Sequence, residues 1–67
     1  MNDELTKREL QVLNLAKQGK IYKEIADLLG IDAQTVKIHA SHIRRKLGKA
    51  SNMAGAVYRA MKSGIID

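Results

Sequence analysis

Within ten residues near the middle of this 67-residue chain stand Lys37, Ser41, Arg44, Arg45 and Lys46, together with His39 and His42. Every one of the first five is a hydrogen-bond donor and four are permanent cations. Lys37 and Ser41 are four apart, so on a helix they project one above the other from the same face. A set like this donates hydrogen bonds and neutralises negative charge. It does not suit catalysis: acids are scattered, no nucleophile–base pair is visible, and no glycine-rich loop is available to cradle a phosphate, so an enzyme is not expected. His39 and His42 are three apart and could share a metal ion. No thiol or neighbouring carboxylate set completes the ligands, and neither a metal nor a cofactor is expected.

The elements that must present these residues read as helices. Thr6 and Glu9 form a capping box, and Leu5 and Leu10 stand where a hydrophobic staple closes over it. Leu10 and Leu13, widened by Val12 and Ala16, give the first helix its apolar face, and Gly19 ends it, predicting a helix over about 6–18. A second helix, about 22–29, carries Ile25, Ala26, Leu28 and Leu29 and stops at Gly30. Its start is weakly signed, since neither Ile21 nor Tyr22 offers a capping oxygen. Asp32 caps a third helix, about 33–47, in which Val36, Ala40, Ile43 and Leu47 recur at spacings of four, three and four. On that helix Lys37, Ile38, Ser41, Arg44 and Arg45 fall on or beside the outer face. Asn52 caps a fourth helix, about 52–62, with Met53, Ala56, Val57, Ala60 and Met61 in one stripe. Gly55 inside it lowers helix propensity and is tolerable where it permits a close approach.

Composition agrees with an all-α, four-helix fold. The chain has no Cys, Pro, Phe or Trp and only two Tyr, a poor set for a sandwich or barrel and none at all for a disulfide framework. So short a chain reads as one domain, residues 1–67, with a marginal core that gains from oligomerisation. Residues 1–4 read as a possible linker remnant. No apolar run approaches a membrane span and no basic-then-apolar leader is visible, so a cytoplasmic protein without a membrane partner is expected.

Charge divides the chain. Residues 1–32 mix five basic groups with six acidic ones, whereas residues 33–66 contain seven basic groups and no acid. A half-chain of one sign repels itself, and a polyanion is the economical partner. The plainer reading is a solvated basic face.

The segment 22–41 has the grammar of a helix-turn-helix. Ala26 is small where two helices must approach, Gly30 follows where the turn needs a positive φ, Ile31 plugs the turn and Val36 locks the second helix on the first. Ile25 and Leu29 complete the buried side.

On these residues the chain resembles the LuxR-type (GerE-like) DNA-binding domain of bacterial transcription regulators. The likeness is carried by Leu5-Thr6-Lys7-Arg8-Glu9, Val12-Leu13, Gly19, Lys23-Glu24-Ile25-Ala26, Leu29, Thr35-Val36-Lys37-Ile38-His39, Ile43, Lys46-Leu47 and Ala56-Val57. It implies that the third helix enters the major groove of double-stranded DNA and that the fourth forms a homodimer through Val57, Tyr58, Met61 and Ile65. It also implies that Lys37, Ile38 and Ser41 face the bases: Lys37 donating to guanine, Ile38 pressing on a thymine methyl, Ser41 bonding either base type. Thr35 at the helix start and Lys23, Arg45 and Lys46 are the phosphate candidates. His39 reads as a packed, hydrogen-bonded residue. The family often has Pro at 7, Ser-Asn at 21–22, Ser at 32 and Arg at 52, where this chain has Lys7, Ile21-Tyr22, Asp32 and Asn52. A sigma-factor region 4 shares Tyr-x-Glu-Ile-Ala and Thr-Val-Lys, but His39 and the long amphipathic fourth helix fit the LuxR type better.

The expected function is therefore sequence-specific DNA binding in transcription regulation, in the bacterial cytoplasm and on the nucleoid when bound, with RNA polymerase as a possible further partner. The competing reading is a helical protein-interaction module, for example on RNA polymerase, that does not read DNA. Whether the chain is a whole protein or the DNA-binding part of a larger, signal-receiving regulator is open at this point.

Overall fold

Local capping chemistry decides where each helix begins. In the computed structural model, which describes residues 4–67, the Thr6 hydroxyl accepts from the Glu9 amide at 3.1 Å and the Glu9 carboxylate accepts from the Thr6 amide at 2.9 Å. This reciprocal pair opens α1, Lys7–Lys17. The possible linker remnant at 1–4 falls, for residues 1–3, outside the described residues. Helix α2, Tyr22–Leu29, follows, and its weak start has a cause. Only the return half of a capping box forms, with Glu24 Oε1 accepting from the Ile21 amide at 2.9 Å. Asp32 accepts from the Gln34 amide at 3.3 Å to open α3, Ala33–Lys46, and Asn52 accepts from the Gly55 amide at 2.8 Å to open α4, Met53–Lys62. The four predicted helices are all present, with ends within one residue of expectation, and no strand occurs among the described residues.

Helices α1 and α3 each pack against all the others, while α2 and α4 do not touch. The core therefore lies between α1 and α3, closed on one side by α2 and on the other by α4. Val12 and Leu13, Ile25 and Ala26, Val36, Ala40, Ile43 and Leu47, and Ala56 and Ala60 are its buried residues, with Ala50 and Ile66 from the connecting and final segments. Gly30 takes φ +67 at the end of α2, a left-handed conformation open to glycine without steric cost, and this turns the chain back so that α2 and α3 form the helix-turn-helix. Ile31 in the turn and Leu29 before it are half-buried against the core.

Two apolar residues at helical spacing stay exposed. Leu28 is 61% exposed, because α2 meets its neighbours along Tyr22, Ile25, Ala26 and Leu29, and Leu28 stands off that face. The α4 stripe is narrower than its spacing suggests. Ala56 and Ala60 are buried and Met53 and Val57 half-buried, but Met61 stays 45% exposed, beside the buried line rather than on it.

Candidate nucleic-acid interface

The inward line Val36, Ala40, Ile43, Leu47 fixes the rotation of α3, since all four are buried. What remains outside is Gln34, Lys37, Ile38, Ser41 and Arg45, every one of them exposed. Gln34, Ile38, Ser41 and Arg45 recur at spacings of four, three and four, so they form one ridge along the solvent side, and Lys37 stands beside it. Ile38 is 48% exposed. About half of its apolar side chain therefore stands in water among hydrogen-bond donors.

The structure thus brings together Lys37, Ile38, Ser41 and Arg45 of the expected site. Thr35 lies half-buried in the first turn of the same helix, and Lys23 is exposed on α2. Gln34 was not anticipated, although its place four residues before Ile38 is a legible signal.

Lys46, the remaining phosphate candidate, is engaged inside the fold. Its ammonium donates to Glu9 Oε1 at 2.8 Å and to the Glu4 carbonyl oxygen at 3.3 Å, and its side chain is only 15% exposed. A phosphate at Lys46 would have to compete with a buried carboxylate. Glu9 itself is 3% exposed. Burial raises a carboxyl's pKa, but here the Lys46 hydrogen bond, the Thr6 amide and the Lys46 charge together outweigh it and hold Glu9 below its ordinary value. The sequence contains this too: Glu9 falls on the line of Val12, Leu13 and Ala16 that faces the core.

Other cations of the acid-free half are also engaged inside the molecule. Arg59 Nη1 donates to the Leu47 and Gly48 carbonyl oxygens at 3.0 and 2.5 Å, closing the C-terminal end of α3 where its dipole is negative. Arg44 Nη1 donates to the Ser51 carbonyl oxygen at 3.3 Å. Gly48 and Lys49 both take positive φ in this connection, and a Cβ at Gly48 would meet Arg59 Nη1 at 2.7 Å. Lys62 lies 5.9 Å above the Tyr58 ring. The one-signed charge of residues 33–66 is therefore partly internal architecture, and Lys37, Arg45 and Lys49 are exposed without such an internal bond.

His39 and His42 are half-buried, and His42 Nδ1 lies 3.9 Å from Glu9 Oε2. Among the described residues no three His, Asp or Glu side chains converge on a possible metal site. Among the described residues no helix is long and apolar enough to cross a membrane. On α4 and the turn after it, Tyr58 is 62% exposed, Met61 45% and Ile65 43%, with Val57 half-buried beside them.

The chain that carries this helix-turn-helix matches a known family over most of its length. Residues 3–59 match the family described as bacterial regulatory proteins, luxR family. The chain belongs to the luxR family. Its helix-turn-helix is of the DNA-binding kind that transcription regulators of this family carry. The chain is 38% identical over 66 residues to the transcriptional regulatory protein MctR of Rhizobium johnstonii, covering 98% of this chain and 30% of that protein. It is 42% identical over 60 residues to the nitrate/nitrite response regulator protein NarP of Escherichia coli, covering 90% of this chain and 28% of NarP. It is also 44% identical over 62 residues to the quorum sensing-dependent transcriptional regulator RpaR of Rhodopseudomonas palustris, covering 92% and 25% respectively. The chain spans less than a third of the length of each of these luxR-family relatives.

Proposed function

We propose that this chain is the DNA-reading part of a transcription regulator, placing the outer ridge of α3 in the major groove of double-stranded DNA. The carrying observation is the exposed Ile38, flanked by Lys37 and Ser41 on the only face of α3 not turned toward the core. Ile38 offers a methyl-sized apolar contact to thymine, Lys37 a donor to guanine O6 and N7, and Ser41 a short hydroxyl for either base type. Gln34 joins them as an amide able to pair with adenine. Thr35, Arg45 and Lys23 hold phosphates and set the register.

Two copies pair through α4, with Val57, Tyr58, Met61 and Ile65 meeting across a two-fold axis, which removes from water the apolar surface left on that helix. Their recognition helices would then address half-sites about one helical turn apart, roughly 34 Å. RNA polymerase is a partner of the assembled regulator in this reading, not a substitute for DNA.

Fluorescence anisotropy with random 30-base-pair duplexes at several salt concentrations tests it. Each phosphate neutralised contributes a slope of about −0.9 in log K against log salt, so a dimer with ~6–10 contacts weakens steeply. Lys37→Ala should weaken binding, and selection from a random pool should yield a two-fold symmetric site. Flat or absent binding at low salt would sink the proposal.

A further inference from the structure

The chain ahead of α1 and the last turn of α3 are held together by one charged cluster. Glu9 Oε1 accepts from Lys46 at 2.8 Å and from the Thr6 amide at 2.9 Å, while Lys46 also donates to the Glu4 carbonyl oxygen at 3.3 Å. The other carboxylate oxygen, Oε2, faces His42 Nδ1 at 3.9 Å, one turn earlier on α3. A single carboxylate on α1 therefore faces two successive turns of the recognition helix.

Beside this cluster lies an open surface groove of about 420 Å³, lined by Glu4, Leu5, Leu10, Lys46, Leu47 and Ile65. On that side solvent rather than another helix faces the end of α3, and short charge-assisted bonds, which are directional, tie it to α1. Lys46 lies nine residues after Lys37, about 13 Å along the axis at 1.5 Å per residue. A helix is stiff over that length, so a tilt at Lys46 is carried to the exposed ridge.

We infer that Glu9 and Lys46 are positioning residues: together they set the tilt of α3 and so the direction from which Lys37, Ile38 and Ser41 meet base edges, without touching DNA themselves. This rests on the DNA reading above. It assigns Lys46 a role in base discrimination through Glu9, whereas a phosphate contact would add affinity alike on every sequence.

The test uses a duplex selected by the wild-type chain from a random pool, alongside a random duplex, each titrated across salt. Lys46→Met, which keeps the aliphatic stem, should lower the preference for the selected duplex by about fivefold, a fraction of one good base contact. Its affinity for the random duplex and its salt slope should match the wild type. Glu9→Gln keeps an acceptor for the Thr6 amide and should lose preference in the same direction but less, and it serves where Lys46→Met does not fold. A slope shallower by about 0.9, with equal loss on both duplexes, would make Lys46 a phosphate contact and overturn the inference. Unchanged preference in folded variants would also overturn it. If the wild type selects no sequence, the DNA reading fails by itself. The positioning role of Glu9 and Lys46 is then judged by backbone amide shifts of residues 37–41 in Glu9→Gln, which should move, and which refute it if they stay in place.

Discussion

The outer ridge of α3 and the last turn of the same helix carry the same residue types in opposite surroundings. Arg45 is exposed to solvent, while its neighbour Lys46 is bonded to a buried carboxylate and a carbonyl oxygen. Ile38 is 48% exposed and Ile43, five residues on, is fully buried. Five residues turn a helix by about 500°, which places Ile43 well away from Ile38 and toward α1. One region thus offers its cations and its isoleucine to a partner, and the other uses them to hold the fold. Residue type alone does not separate the two jobs; the position of acceptors and of the core does.

The isoleucine pair gives the largest expected effect. Ile43→Ala should destabilise by about 2–5 kcal/mol, through lost burial and the cavity left behind, as read by urea denaturation. Ile38→Ala should shift stability by less than about 0.5 kcal/mol and act on DNA selectivity instead. If the two variants lose similar stability, the division of α3 into a core line and a recognition ridge is wrong.

Next comes the cation pair. Lys46→Met strands Glu9 in the interior and should cost about 2 kcal/mol in the same denaturation series, whereas Arg45→Ala should leave stability nearly unchanged. Arg45→Ala should instead make the salt dependence of DNA binding shallower by about 0.9. Equal stability losses would erase the distinction.

The ends of the two regions sharpen it further. Gly48 sits at φ +73 with Arg59 against it, so Gly48→Ala combines a left-handed Cβ with a 2.7 Å contact. A loss of about 1–2 kcal/mol is expected by thermal unfolding. Arg59→Met, which removes the close guanidinium, should recover part of that loss in the double variant if the contact contributes.

Acidity provides a smaller effect. Glu9 titrates lower in the folded chain than in the unfolded one. The stability this contributes is complete above the ordinary carboxylate range and is lost as pH falls through the lower folded value. Stability measured from pH 7 down to 2 should therefore fall less steeply in Glu9→Gln than in the wild type. An identical decline in both would remove Glu9 from the account.

Gly55→Ala is the mildest change. A Cβ there would meet Asn52 Oδ1 at 3.4 Å and the Ala50 Cβ at 3.8 Å, ordinary contact distances, and the backbone is helical. A gain of about 0.5 kcal/mol is expected in thermal unfolding. A loss would mean that the close approach read from the sequence is required at this position.

Much of the fold was legible because its signals are local. Thr6 with Glu9, Asp32 and Asn52 act on amides two or three residues away, and Gly30 acts on its own φ, so helix ends follow from short stretches of chain. The inward line of α3 was legible for the same reason, since a period of 3.6 is a property of the helix alone. The recognition ridge is its complement, and Lys37, Ile38, Ser41 and Arg45 follow from it. Leu28 and Met61 were less legible. Being apolar at a helical spacing does not say which side of a helix its neighbours cover, and both stand beside the covered line rather than on it.

What the sequence by itself determined is therefore the number of helices, their ends, the helix-turn-helix and the residues that α3 turns outward. Only the tertiary structure decided which cations remain available to a partner. Lys46 lies 37 positions from Glu9, and Arg59 lies 12 and 11 positions from the carbonyl groups it closes. Such pairings carry no periodic signal along the chain. They exist because packing α1 on α3 brings a buried acid, too costly to leave unpaired, to the end of the recognition helix, and packing α4 there brings Arg59 to carbonyl groups that the helix itself leaves without partners.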